Sequence, residues 1–147
     1  MFRRSAPVTL LAATLMLLAT AQARDTLSRF SISDALQAAA ASGKVEATIK
    51  LYFGAHANLK PTKTIETGAR TNKKTNFFNK TDKEGCEWAF LSAILTLQAH
   101  AKQLGGNAVI NIKSITNTEE LMSDTEYLCR AGNVTGGVAL VGDVVTL

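Results

Sequence analysis

The stretch from Thr81 to Gly106 constrains the fold more than any other part of the chain. Thr81-Asp82-Lys83-Glu84 has the form of a capping box, the threonine hydroxyl serving the amide three residues on and Glu84 reaching back. Helical residues then run to Leu104 and stop at Gly105-Gly106, the first of which can take the left-handed position past a helix end. At about 100° per residue, Cys86, Phe90, Ala93, Ile94, Leu97, Ala101 and Leu104 fall on one stripe. Trp88, Leu91 and Leu95 form a second stripe, nearly opposite. A helix with two apolar stripes is either sandwiched or in contact with a partner. The Ala-rich segment nearer the N-terminus, or the chain's own loop, can supply the cover. Otherwise Trp88, Leu91 and Leu95 are the candidates for contact with a second subunit.

Strand patterns supply the surface for the main stripe. Val45, Ala47, Ile49, Leu51 and Phe53 alternate with polar neighbours, which predicts a nine-residue strand ended by Gly54. After the helix, Ala108, Ile110 and Ile112 alternate again. Thr116 to Asp124 is a polar, acidic connection. Thr125 to Arg130 resumes extended character, with Tyr127 and Cys129 on one face. Gly132-Asn133 signals a turn, and Gly136 to Leu147 predicts a last Val-rich strand with a break at Gly142-Asp143. Ahead of all this, Ser33-Asp34 and an Ala run ending at Gly43 predict a short helix. The expected class is α+β: a four- to five-stranded sheet packed on one long helix, with a short N-terminal helix and one disulfide.

The first 23 residues read as an address. Arg3 and Arg4 precede an apolar stretch from Val8 to Ala19, which ends in the small-x-small signal Ala21-Gln22-Ala23. This predicts a cleavable signal peptide over 1–23 and a single domain over 24–147, periplasmic or secreted. No Cys follows the apolar stretch to take a lipid, and no membrane-spanning run is expected in the mature chain. Of 147 residues, 124 remain after cleavage, and the formal charge falls from +4 to +2. An oxidising compartment makes Cys86–Cys129 the default bridge, since no third cysteine competes. The alternative is two free thiols, one of them a nucleophile.

The small net charge is unevenly spread. Residues 56–83 hold seven cations against Glu66 and Asp82, and read as a basic, irregular segment with a short strand near Lys63 to Thr67. Phe77 and Phe78 are the expected anchors of the loop from Thr71 to Thr81. Arg70, Lys73 and Lys74 are the candidates for anion contact. Interleaved cations and phenylalanines can hold nucleic acid. Outside the cytoplasm, anionic lipid headgroups or a polyanionic envelope polymer are the expected partners instead. A solvated face is the plain alternative.

Familiar chemistry is absent from the pattern. There is no P-loop, no G-x-S-x-G elbow, no H-E-x-x-H and no C-x-x-C. His56 and His100 stand 44 residues apart, without an acid at ligand spacing. Glu84 and Glu87 suit the start of a helix dipole better than an acid–base pair. Glu119, Glu120 and Asp124 read as a solvated loop. Gly136-Gly137 suggests a bulge or a close backbone approach. The expectation is therefore no catalytic residue, no metal ligand set and no cofactor.

Several blocks carry a resemblance: Leu51-Tyr52-Phe53-Gly54, Thr71-Asn72-Lys73-Lys74-Thr75-Asn76, Cys86-Glu87-Trp88-Ala89-Phe90-Leu91-Ser92-Ala93, Leu104 through Ile112, and Glu126 through Gly132. Together they resemble a small exported proteobacterial family labelled "excinuclease ATPase subunit". The chain has neither the Walker motif nor the zinc knuckle such an activity needs, so none is carried over. Residues 82–147 resemble YbjQ-type heavy-metal-binding proteins and the periplasmic domain of the Rcs envelope-stress lipoprotein. The lipoprotein resemblance implies that Cys86 and Cys129 are structural cysteines. The YbjQ resemblance implies a ring-forming homo-oligomer, which gives the second stripe a use. Together these readings lead to a non-enzymatic binding or assembly module of the cell envelope. The alternatives are a metal-binding or enzymatic protein, and a nucleic-acid-associated one as the family label suggests.

Overall fold

The computed structural model describes residues 23–147. The predicted signal peptide, apart from Ala23, lies outside the described residues. The chain runs β1 (Thr26–Ser31), α1 (Ile32–Ala41), β2 (Lys50–Phe53), β3 (Lys63–Asn76), α2 (Asp82–Gln103), β4 (Ala108–Ile115), β5 (Glu120–Leu121), β6 (Glu126–Ala131) and β7 (Thr135–Thr146). The class is α+β, as expected, but the sheet has seven strands among the described residues rather than four or five.

Local chemistry accounts for both helices. Ser31 caps α1 through its hydroxyl on the Asp34 amide. Thr81 and Glu84 close the capping box on α2. At the other end Gly105 sits at φ +80°, the Gly106 amide donates to Ala101 O and the Gly105 amide to Lys102 O. That double bond pattern is the Schellman stop. No helix among the described residues is long and apolar enough to cross a membrane.

Strand β7 organises the sheet. One edge pairs antiparallel with β3 along its length, from Asn76 opposite Thr135 to Lys63 opposite Thr146. The other edge is shared: β4 takes Leu140 to Val145, and β6 takes Gly136 and Gly137. Beyond these lie β2, parallel to β4, and β1, antiparallel to β6. The expected break at Gly142-Asp143 is not there, and β7 runs through it.

Helix α2 covers one face of the sheet. Phe90, Ile94 and Leu97 pack there with Tyr127, Val138, Leu140 and Val144. The Phe90 ring lies 4.5 Å from that of Tyr127 and 5.6 Å from that of Phe53. Cys86 and Cys129 form the disulfide, joining the first turn of α2 to β6. Both sulfurs belong to residues wholly inside the core.

Besides the unexpected short strands β1 and β5, two longer segments depart from expectation. The expected loop from Thr71 to Thr81 is irregular only over 77–81: up to Asn76 it belongs to the fourteen-residue strand β3. Ala69, Thr71 and Thr75 line its inner face, and small and threonine side chains give too weak an apolar alternation to announce a strand. Phe77 is a buried anchor, but Phe78 points outward. The predicted strand from Val45 also shrinks, to Lys50–Phe53. The reason is Gln98 on α2, which is buried. Its amide donates to Glu46 O and Ile49 O, each at 2.8 Å, and its carbonyl accepts from the Glu46 amide at 3.0 Å. Those backbone groups are therefore satisfied by a side chain instead of a ladder.

The same loop carries a pH dependence. The Lys102 ammonium, 2.9 Å from the Glu46 carboxylate, and then the Thr48 hydroxyl and amide hold that carboxyl at about 2, below its ordinary 4.5. A carboxyl depressed by folding stabilises the fold above about pH 4.5, and that contribution is lost as pH falls toward about 2. Glu46→Gln should lower the urea midpoint near neutrality, and the gap from wild type should close by about pH 2. A gap that persists at low pH would show that the carboxylate's charge is not what matters.

Candidate functional site

The sheet face turned away from α2 carries a trough of about 420 Å³. It forms where β7 exchanges one neighbour for another. At that point β4 and β6 are joined not by a backbone ladder but by the Ser114 hydroxyl, which accepts from the Leu128 amide at 3.0 Å. Ile115 from β4 and Leu128 from β6 form an apolar side of the trough, and Gly137 and Ala139 of β7 lie along it.

Its rim is cationic. Strand alternation sends Arg70, Asn72 and Lys74 of β3 into the trough, opposite Val141, Ala139 and Gly137. Arg24 and Arg130 complete the set, and among the described residues Asp25 is the one carboxylate lining it. Arg130 spends part of its charge on Asp25 at 3.0 Å and donates to the Thr118 hydroxyl at 3.2 Å. Arg24 is paired with Asp82. Among the described residues, no carboxylate lies within ion-pair distance of Arg70 or Lys74.

Glycine is required beside these cations. A Cβ on Gly137 would stand 2.7 Å from Lys73 O and 3.1 Å from Lys74 Cγ. One on Gly136 would stand 2.4 Å from Arg130 O and 2.5 Å from the Phe77 ring. The expected close backbone approach is thus what Gly136-Gly137 provides.

The three basic candidates do not act from one face. Arg70 and Lys74 line the trough together. Lys73, between them in register, shares the opposite face with Ala69 and Thr71. Sequence reasoning missed Arg24 and Arg130. The signal for Arg130 was present, because it follows core-facing Cys129 on a strand and must point the other way.

The second stripe of α2 is divided. Leu91 is buried in the main core and Leu95 packs against it half-buried. Trp88 remains 49% exposed beside a hollow of about 320 Å³ that Ala38 and Ala41 of α1 also line. The Lys44 ammonium lies 6.0 Å from its ring centre.

Both histidines and Glu84 have partners away from the trough. His56 Nε2 is 2.7 Å from Phe53 O, and His100 Nε2 is 2.9 Å from the Glu66 carboxylate, which the sheet brings to it from β3. The Thr81 amide and hydroxyl hold the Glu84 carboxyl below its ordinary range. Burial pushes the Tyr127 phenol up, so it stays neutral. Among the described residues, no three His, Cys, Asp or Glu side chains gather as a metal site would need.

These features define a disulfide-stapled α+β protein with a basic trough on its open sheet face. No protein-family model, curated protein or solved structure matches the chain.

Proposed function

We propose that the chain is a non-enzymatic periplasmic or secreted module that binds an anionic envelope component in this trough. One observation carries the reading: Arg70 and Lys74 converge on an open hollow beside Arg24 and Arg130, and among the described residues neither has a carboxylate within ion-pair distance. The strand fixes where the two side chains start and which way they face, so an anion has only their rotamers left to order. The Cys86–Cys129 bridge fits an oxidising compartment. The resemblance to an exported family and to an envelope-stress lipoprotein domain supports the same location.

The test uses strand alternation. Retention on immobilised dextran sulfate should weaken as salt screens the exposed charges. Arg70→Ser with Lys74→Ser should lower affinity by about tenfold or more, given two lost charge-assisted contacts. Lys73→Ser, on the other face, should change it by less than about twofold. Equal losses for Lys73 and Lys74 would mean that diffuse charge, not the trough, holds the anion.

A further inference from the structure

At one end of the sheet the last residues of β3 and the turn before β7 lie side by side, the Phe77 amide donating to Val134 O at 2.7 Å. Phe77 is locked inward: a Cβ on Gly85 would touch its ring at 2.7 Å, and Gly136 leaves room for it from β7. The next residue is thereby thrown outward. The turn that does this is tightly tied. The Phe78 amide donates to Asn76 Oδ1 at 2.7 Å, Lys80 Nζ donates to Asn76 O at 2.9 Å, and Asn79 takes a left-handed φ of 58°.

The result is a convex tip carrying Phe78 at 63% and Val134 at 61% exposure, the two most exposed large apolar side chains among the described residues. Lys73 and Lys74 lie a few residues back along β3 from Phe78, and Lys80 lies two residues past it. No acid occurs between Glu66 and Asp82, or between Glu126 and Asp143, the two stretches that build this end. Asp82 itself is taken by Arg24. Two protruding side chains on a convex turn offer no flat face to a folded partner. An anionic bilayer needs none: its headgroup region yields to apolar tips, and its phosphates attract flanking cations.

We propose that this tip docks the protein on an anionic lipid surface, with Phe78 and Val134 entering the headgroup region. It shares only Lys74 with the trough, so the two proposals can fail separately. The experiment is co-sedimentation of the purified protein with phosphatidylcholine vesicles that contain or lack phosphatidylglycerol. Binding is expected on the anionic vesicles and not on the neutral ones. Phe78→Ser with Val134→Ser should reduce it by about tenfold or more while dextran sulfate retention stays unchanged. Phe78→Trp, made in a Trp88→Phe background, should show a blue shift of emission on anionic vesicles. No binding, equal binding to neutral vesicles, or an unshifted emission from the Phe78→Trp variant would overturn the proposal. So would binding that Arg70→Ser abolishes and the tip variants leave intact.

Discussion

The double variant Cys86→Ala/Cys129→Ala is expected to lose about 4 kcal/mol of unfolding free energy, measured by urea denaturation. The bridge spans 43 residues, and closing a loop of that length in the unfolded chain removes entropy worth about that much. Total stabilities of domains this size are about 5–15 kcal/mol, so the effect should dominate any surface change. Geometry adds a local signature. The bridge ties the first turn of α2 to β6, so amide exchange should quicken first around Cys86 and in Glu126–Ala131. A loss below about 1 kcal/mol would mean that the burial of Phe90 and Tyr127 alone holds helix to strand.

Gln98→Met is expected to cost about 2–4 kcal/mol, although it preserves bulk and apolar contact. It removes the side-chain partner of the Glu46 amide and carbonyl and of the Ile49 carbonyl, and of these only Glu46 O keeps another, the Ile49 amide at 3.4 Å. Each such group, when shut away from water, costs about 1–3 kcal/mol, and the outer two recover part of that from solvent. Gln103→Met, exposed one turn further along α2, should stay within about 0.5 kcal/mol. Matched losses for the two would show that the loop satisfies itself. With Gln98 replaced, residues 44–49 should exchange freely while α2 remains protected.

The two cases show why the sequence was legible in places. Capping chemistry is local: Thr81, Glu84, Gly105 and Gly106 act within one turn of each helix end, and the long helix was readable at both. Tyr127 and Cys129 alternate in a strand whose inner face is plainly apolar, so β6 was readable too. Gln98 was not. A polar residue inside a helix pattern looks solvated until a loop 52 residues earlier in the chain is folded against it. Strand β3 was hidden for a related reason. Its inward face is Ala69, Thr71 and Thr75, and its outward face is cationic, so neither side carries the apolar rhythm that marks a strand. The basic cluster was visible as composition. Its division into Arg70 and Lys74 on one side and Lys73 on the other depended on knowing that the segment is extended.

Strand β7 also sets a schedule for the molecule. It is the shared partner of β3, β4 and β6, and it follows all three along the chain. A chain delivered from its N-terminal end therefore presents most of this sheet's strands before the one that joins them. Until Thr135–Thr146 has emerged, β3 has no partner among the described strands and the basic trough has no base. The pairings that close the sheet are therefore long-range ones that wait on its last strand, the kind that form slowly.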